Sequence, residues 1–240
     1  MSTLDAPAKL TRTLRITGVR NDGYHLIDAE MVALELCDRL TLEPGDGLSA
    51  AGPFAVGMPL DETNLVARAL HLTGRRAAVH IDKQIPHGGG LGGGSADAAA
   101  VLRWAGHHDL IAASRLGADI AFCVVGGRAR VRGIGEIIEP LPFVALDVTL
   151  IVPPLTVSTP AVYRAWDEMG GPTSKGANDL QHAAIAVVPE LAVWRDRITH
   201  TVGQVPTLAG SGATWFVEGH HPQARELAPL ATVVFTRTRP

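Results

Sequence analysis

The sequence predicts an α+β protein of two units, residues 1–142 and 143–240. Three observations carry this. Short alternating apolar runs, the mark of half-buried strands, interleave with runs of helical periodicity. A glycine-rich stretch, Pro86-His87-Gly88-Gly89-Gly90-Leu91-Gly92-Gly93-Gly94-Ser95, lies between a strand pattern and an alanine-rich helical pattern. After Pro140-Leu141-Pro142 the order becomes strand, helices, two strands, helix, strand, which suits an antiparallel sheet with helices on one face.

Taken in order, residues 1–8 read as a loose tail. Residues 9–17 follow as a strand with Leu10, Leu14 and Ile16 on one side. Asn21-Asp22-Gly23 signals a turn, followed by strands over 31–36 and 39–42 and a Gly/Pro-rich loop over 44–59. A helix over 61–72 is capped by Asp61 or Thr63 and stopped by Gly74. A strand over 77–82 feeds the glycine loop, and a helix over 95–106 leaves it with Ser95 as a fitting N-cap. A short helix over 109–116 ends at Gly117-Ala118-Asp119, and paired strands surround Gly133-Ile134-Gly135. In the second unit, strands are expected at 146–152, 206–208, 213–218 and 232–237. Helices are expected at 161–169, at 178–200 with a break at Pro189, and at 222–227.

With 240 residues, 46% hydrophobic and 19% charged, the chain has the make-up of an ordinary soluble protein. A net charge of −3 gives no general attraction to nucleic acid or to a membrane surface, so any positive potential is local, as at Arg128, Arg130 and Arg132. No apolar run is long enough to span a bilayer, and residues 1–15 lack the apolar core of a signal peptide. Cys37 and Cys123 sit far apart in apolar settings and read as buried free thiols, which suits a cytoplasmic protein. His107-His108 and His220-His221 read as solvated loop residues, and no Cys/His spacing suggests zinc.

Strand, glycine loop and helix start together make a phosphate cradle. Glycine removes side chains that would keep phosphate from backbone N–H groups, and the helix start adds unpaired donors. The loop is not a Walker A motif, because no Lys-Ser or Lys-Thr follows the glycines. Gly88, Gly90 and Gly93 satisfy G-x-G-x-x-G only formally, and Pro86-His87 separate them from the strand. A flexible linker is the alternative, disfavoured by the flanking strand and helix.

The stretch from Ile81 to Ser95, with Lys83-Gln84-Ile85-Pro86 before the glycines and a triple glycine after Leu91, resembles the nucleotide loop of the GHMP small-molecule kinases. Further segments resemble the family in the same order: Ala8-Lys9-Leu10, Asp22-Gly23-Tyr24-His25, Asn64-Leu65-Val66, Leu116-Gly117-Ala118-Asp119, Val157-Ser158-Thr159-Pro160, Asn178-Asp179-Leu180 and Gly210-Ser211-Gly212-Ala213. The resemblance implies the two-domain GHMP kinase fold, with a ribosomal protein S5 domain 2-like N-terminal domain and a ferredoxin-like C-terminal domain. Within the superfamily it points to phosphorylation of the 2-hydroxyl of a cytidine diphosphate-linked methylerythritol, in the non-mevalonate isoprenoid route, with ATP and Mg²⁺.

The resemblance also implies roles. Lys9 and Asp119 form the catalytic pair; from the residues alone, Asp119 reads as a helix cap and Lys9 as a surface lysine. Asn64, Pro86, His87, Gly88, Gly89, Gly90, Leu91, Gly92, Gly93, Gly94, Ser95 and Ala96 hold ATP, and the Ser95 hydroxyl is a Mg²⁺ contact. Thr11, Tyr24, His25, Lys83, Thr159 and Tyr163 hold the substrate, with Tyr24 stacking on cytosine, His25 bonding to it and Lys83 near the diphosphate. The partner is a small molecule, with no nucleic acid or membrane, and the chain is a monomer or homodimer. Thr11, Ala96, Ala121 and Ala209 depart from the family, where Asn, Ser, Pro and Ser are usual. The rival expectations are a GHMP kinase for a sugar, homoserine or mevalonate-type alcohol, and a nucleotide-binding homologue with little turnover.

Overall fold

The computed structural model describes residues 1–86 and 88–240; His87, expected in the nucleotide loop, lies outside the described residues. The chain opens with two long strands, β1 (Ser2–Val19) and β2 (His25–Glu43), paired antiparallel along most of their length. A short strand β3 (Leu48–Ala51), helix α1 (Leu65–Thr73), strand β4 (Ala78–Asp82) and helix α2 (Gly93–Trp104) follow. Helices α3 (Leu110–Leu116) and α4 (Ile120–Val125) then lead to the hairpin of β5 (Arg128–Gly133) and β6 (Ile137–Leu141). The edge of β2 opposite β1 is shared in tandem: β5 pairs with its first half and β4 with its second.

The remainder forms a separate four-stranded sheet. Its elements are β7 (Asp147–Val152), α5 (Thr159–Glu168), α6 (Gln181–Val187), α7 (Glu190–Val202), β8 (Thr207–Leu208), β9 (Trp215–Glu218), a 3-10 helix (Pro222–Leu227) and β10 (Thr232–Arg237). The strand order is β10-β7-β9-β8, all antiparallel, which is the ferredoxin-like arrangement the resemblance implied. The α+β expectation therefore holds, and the strands divide into two sheets between Leu141 and Asp147.

Four expectations need correction. Residues 1–8 are not a tail but the first part of β1, because Ala6 and Ala8 are fully buried and their backbone pairs with β2. Pro7 is tolerated there because it sits at a register shift in the ladder. The two strands expected at 31–36 and 39–42 are one strand, and the "loop" at 44–59 contains β3. Helix α1 is capped neither by Asp61 nor by Thr63: Asn64 Oδ1 accepts from Val66 N at 2.8 Å, while Asp61 turns back onto Thr63.

The first core joins the inner face of the large sheet to α1, α2 and α4, around Leu10, Leu34, Leu40, Ile81, Leu102 and Phe122. Eight of the twelve residues of α2 are buried, and the alanines among them let neighbouring helices approach closely. The second core gathers α5, α6 and α7 around Ile151, Val162, Ile198 and Trp215, and it includes Leu14 and Ile16 of β1. That strand thus belongs to both cores. The paired histidines are also partly packed: His220 lies on Phe235, and His107 Nε2 is buried with no hydrogen-bond partner among the described residues, so neither pair is simply solvated.

Candidate active site

The glycine loop folds as its composition dictates. Gly88, Gly90 and Gly92 have φ of 72°, 76° and 68°, a region that favours glycine. A Cβ on Gly90 would lie 2.5 Å from the Ala209 carbonyl oxygen, and one on Gly89 would lie 2.6 Å from Thr214 Oγ1. The second glycine turn therefore backs the loop, and Asn178 Nδ2 holds that turn by donating to the Leu208 and Gly210 carbonyls at 2.8 and 2.7 Å. Among the described residues, a Cβ on Gly88 would meet nothing within 4 Å.

Helix α2 starts at this loop with Gly92 as N-cap and no side-chain capping bond, so Ser95 is not the cap. The first-turn amides of a helix have no intrahelical acceptor, and with the helix dipole they form an anion site. Ala96 has no part in it: its side chain is buried in the core and its N–H donates to the Gly92 carbonyl at 2.8 Å. Leu91 and Pro86 are likewise buried anchors of the loop, and the Leu91 carbonyl receives Lys9 N at 3.0 Å. Asn64 spends both ends of its amide on the chain, accepting from Val66 N and donating to the Pro59 carbonyl.

Lys9 and Asp119 meet. Lys9 Nζ is 3.1 Å from Asp119 Oδ2 and donates to Thr11 Oγ1 at 3.1 Å. Asp119 occupies the N-cap position of α4 yet makes no capping bond, so its carboxylate points to the lysine and not to its own helix. A Cβ on Gly92 would fall 2.7 Å from Lys9 Cγ, so the lysine stem lies directly against the loop.

The pair opens into a cavity of about 680 Å³. Thr11, Tyr24, His25, Thr159 and Tyr163, expected at the substrate, line it, and so does Gly90 of the glycine loop. The His25 ring lies 4.6 Å from Tyr163 and 5.6 Å from Trp166, and its Nε2 is 2.8 Å from Asp167 Oδ1. Burial, with some help from the Asp119 charge, pushes the Tyr163 phenol up to about 12, so the ring stays neutral. Tyr24 is exposed at the rim, and Thr159 Oγ1 shares a 2.7 Å hydrogen bond with Ser211 Oγ. Ser211 of the Gly210-Ser211-Gly212 turn also lines the cavity, as do Arg115, Arg164 and Asp167, which were not expected. Asp167 had a signal: it stands four residues after Tyr163 on one helix face.

Lys83 is a correction. It does not line the cavity but lies almost wholly buried, ion-paired to Asp38 and, at 2.8 Å, to Asp97. Asp38 Oδ1 accepts from Gln84 N and Ile85 N at 2.6 and 2.8 Å, and a Cβ on Gly93 would lie 3.1 Å from Lys83 Nζ. Taking these ions from water costs several kcal/mol each, which the mutual pairing and the amides must offset. Burial drives the Asp97 carboxyl up to about 7 against the pull of Lys83, with the Asp38 charge adding to the rise. Burial opposes the charge on Lys83 as well, but the two carboxylates outweigh it and hold the ammonium charged. The cluster ties β2, the loop entrance and α2 together beneath the glycine loop.

A family model described as the GHMP kinases N terminal domain matches residues 63–127. Over 235 residues the chain is 41% identical to the 4-diphosphocytidyl-2-C-methyl-D-erythritol kinase of Paracoccus denitrificans (strain Pd 1222), covering 88% of this chain and 84% of that one. The protein of the same name from Roseobacter denitrificans (strain ATCC 33942 / OCh 114) is 38% identical over 257 residues, covering 93% and 86%. A crystal structure of 4-(cytidine 5'-diphospho)-2C-methyl-D-erythritol kinase superposes with a TM-score of 0.79 at 32% identity, covering 100% of both chains. An L. major mevalonate kinase structure, at 12% identity and a TM-score of 0.68 over 100% and 96% of the two chains, shows the fold alone. With identity of this level spread along most of both chains, and the lysine, aspartate and glycine loop meeting at one cavity, this protein belongs to the 4-diphosphocytidyl-2-C-methyl-D-erythritol kinase family of the GHMP kinases.

Proposed function

We propose that the chain transfers the γ-phosphoryl group of ATP to the 2-hydroxyl of 4-diphosphocytidyl-2-C-methyl-D-erythritol, a step of the non-mevalonate isoprenoid route. The observation that carries this is the 3.1 Å contact of Lys9 Nζ with Asp119 Oδ2, set between the phosphate cradle and a pocket walled by Tyr24, His25 and Tyr163. Residues 1–142 act as the nucleotide-binding domain and 143–240 supply Thr159, Tyr163 and the second glycine turn.

The first turn of α2 and the glycine loop leading into it hold the triphosphate. The Ser95 hydroxyl, half-buried at that helix start, suits a Mg²⁺ contact. No group of three or more His, Cys, Asp or Glu side chains that would hold a metal occurs among the described residues, so Ser95 is the contact this chain would offer a nucleotide-borne magnesium. A bound magnesium ion neutralises phosphate charge. Asp119 orients the acceptor hydroxyl and takes its proton, while Lys9, 3.1 Å away, keeps that carboxylate aligned and beside the attacking oxygen. Tyr24 and His25 receive the cytosine, and Lys9 and Asp119, which line the same cavity, receive the acceptor hydroxyl.

The test is turnover. Purified protein with ATP, Mg²⁺ and this substrate is expected to release ADP, with CDP competing against the acceptor. ADP release with homoserine or mevalonate and no competition by CDP would favour a different acceptor. Thermal stabilisation by ATP with no ADP from any alcohol would make the chain a binding module.

A further inference from the structure

We propose that Asp167 fixes the His25 ring as a hydrogen-bond acceptor toward the cavity, and so selects a pyrimidine carrying an exocyclic amine over its oxo analogue. The inference rests on the reading that this cavity takes the cytidine end of the acceptor, and it assigns the selectivity to a residue outside the base contacts.

The geometry is specific. A carboxylate only accepts hydrogen bonds, so the 2.8 Å contact between Asp167 Oδ1 and His25 Nε2 places a proton on Nε2. In the neutral ring the lone pair is then on Nδ1. The ring is 10% exposed and is held on one face by Tyr163 and on an edge by Trp166, so it has little freedom to turn over. No other hydrogen bond is made to it among the described residues. His25 lines the cavity, leaving Nδ1 as an acceptor in need of a donor. The cytosine amine is such a donor. Uracil presents a carbonyl oxygen at the same place, and two acceptors would face each other. One well-placed base contact of this kind discriminates by roughly 10- to 100-fold.

Asp167 is exposed on α5 and packs into no core, so its replacement leaves the fold intact. The measurement is calorimetric titration of CDP and UDP into wild type and Asp167→Ala, with a non-hydrolysable ATP analogue filling the phosphate loop. Wild type is expected to prefer CDP by about 10-fold or more, and Asp167→Ala to bring the two affinities within about 3-fold, chiefly by weakening CDP. Imidazole ¹⁵N NMR of the ligand-free protein gives a second readout: the Nε2–H tautomer in wild type, and a mixture in Asp167→Ala. An unchanged CDP/UDP ratio in Asp167→Ala, or an Nδ1–H tautomer in wild type, overturns the assignment to Asp167 while leaving the cytidine pocket standing. Wild-type protein that binds the ATP analogue but neither CDP nor UDP overturns the pocket reading itself, and the selectivity with it.

Discussion

Lys9 with Asp119, and Lys83 with Asp97, are two lysine–aspartate groups flanking one glycine loop. Lys9 has one carboxylate partner, which is 31% exposed and borders a cavity, so a substrate oxygen has room to approach it. Lys83 has two partners, both essentially dry, and Asp38 among them is also tied to two backbone amides. The residue types are the same, and water access and partner count separate their roles. A lysine with a single reachable carboxylate can serve chemistry, whereas one locked between two buried carboxylates can only hold structure.

Substitutions break this comparison in graded ways. The largest effect belongs to Asp119→Ala, expected to lower kcat by about 10²- to 10⁴-fold while ATP-dependent thermal stabilisation persists. Lys83→Met comes next: it strands two buried carboxylates and is expected to cost about 3–5 kcal/mol in denaturant unfolding. Gly90→Ala forces a Cβ to 2.5 Å from the Ala209 carbonyl at a φ of 76°, and a strain of about 1–3 kcal/mol is expected to appear as a raised KM for ATP. The smallest effect is on pH dependence. Because the folded Asp97 carboxyl is raised to about 7, its contribution to stability is full below the ordinary carboxylate range and is lost as pH rises through 7. Thermal unfolding of Asp97→Asn is therefore expected to fall less between pH 5 and 8 than that of wild type.

The legible parts of the molecule are those where backbone conformation demands a residue type. Gly88, Gly90 and Gly92 must take positive φ, and Gly74 ends α1 in the left-handed region, so loop and helix stop could be read directly. Lys9 and Asp119 could be paired only through resemblance, since 110 residues separate them and each alone suits a surface or capping role. Lys83 was misplaced because its partners look ordinary: Asp38 interrupts a strand pattern and Asp97 resembles a polar helix position. The same interruption split β2 into two expected strands. Asp167 went unseen because its partner His25 comes from a hairpin 142 residues earlier.

The most direct measurement sets the two groups against each other. Single-turnover phosphoryl transfer and ATP affinity would be compared for Asp119→Ala and Asp97→Asn, at saturating ATP and 4-diphosphocytidyl-2-C-methyl-D-erythritol. The expected result is a transfer rate lowered by about 10²-fold or more in Asp119→Ala with ATP affinity retained, and a near wild-type rate in Asp97→Asn. A transfer rate that survives in Asp119→Ala and collapses in Asp97→Asn would contradict the assignment of the chemistry to Lys9 and Asp119.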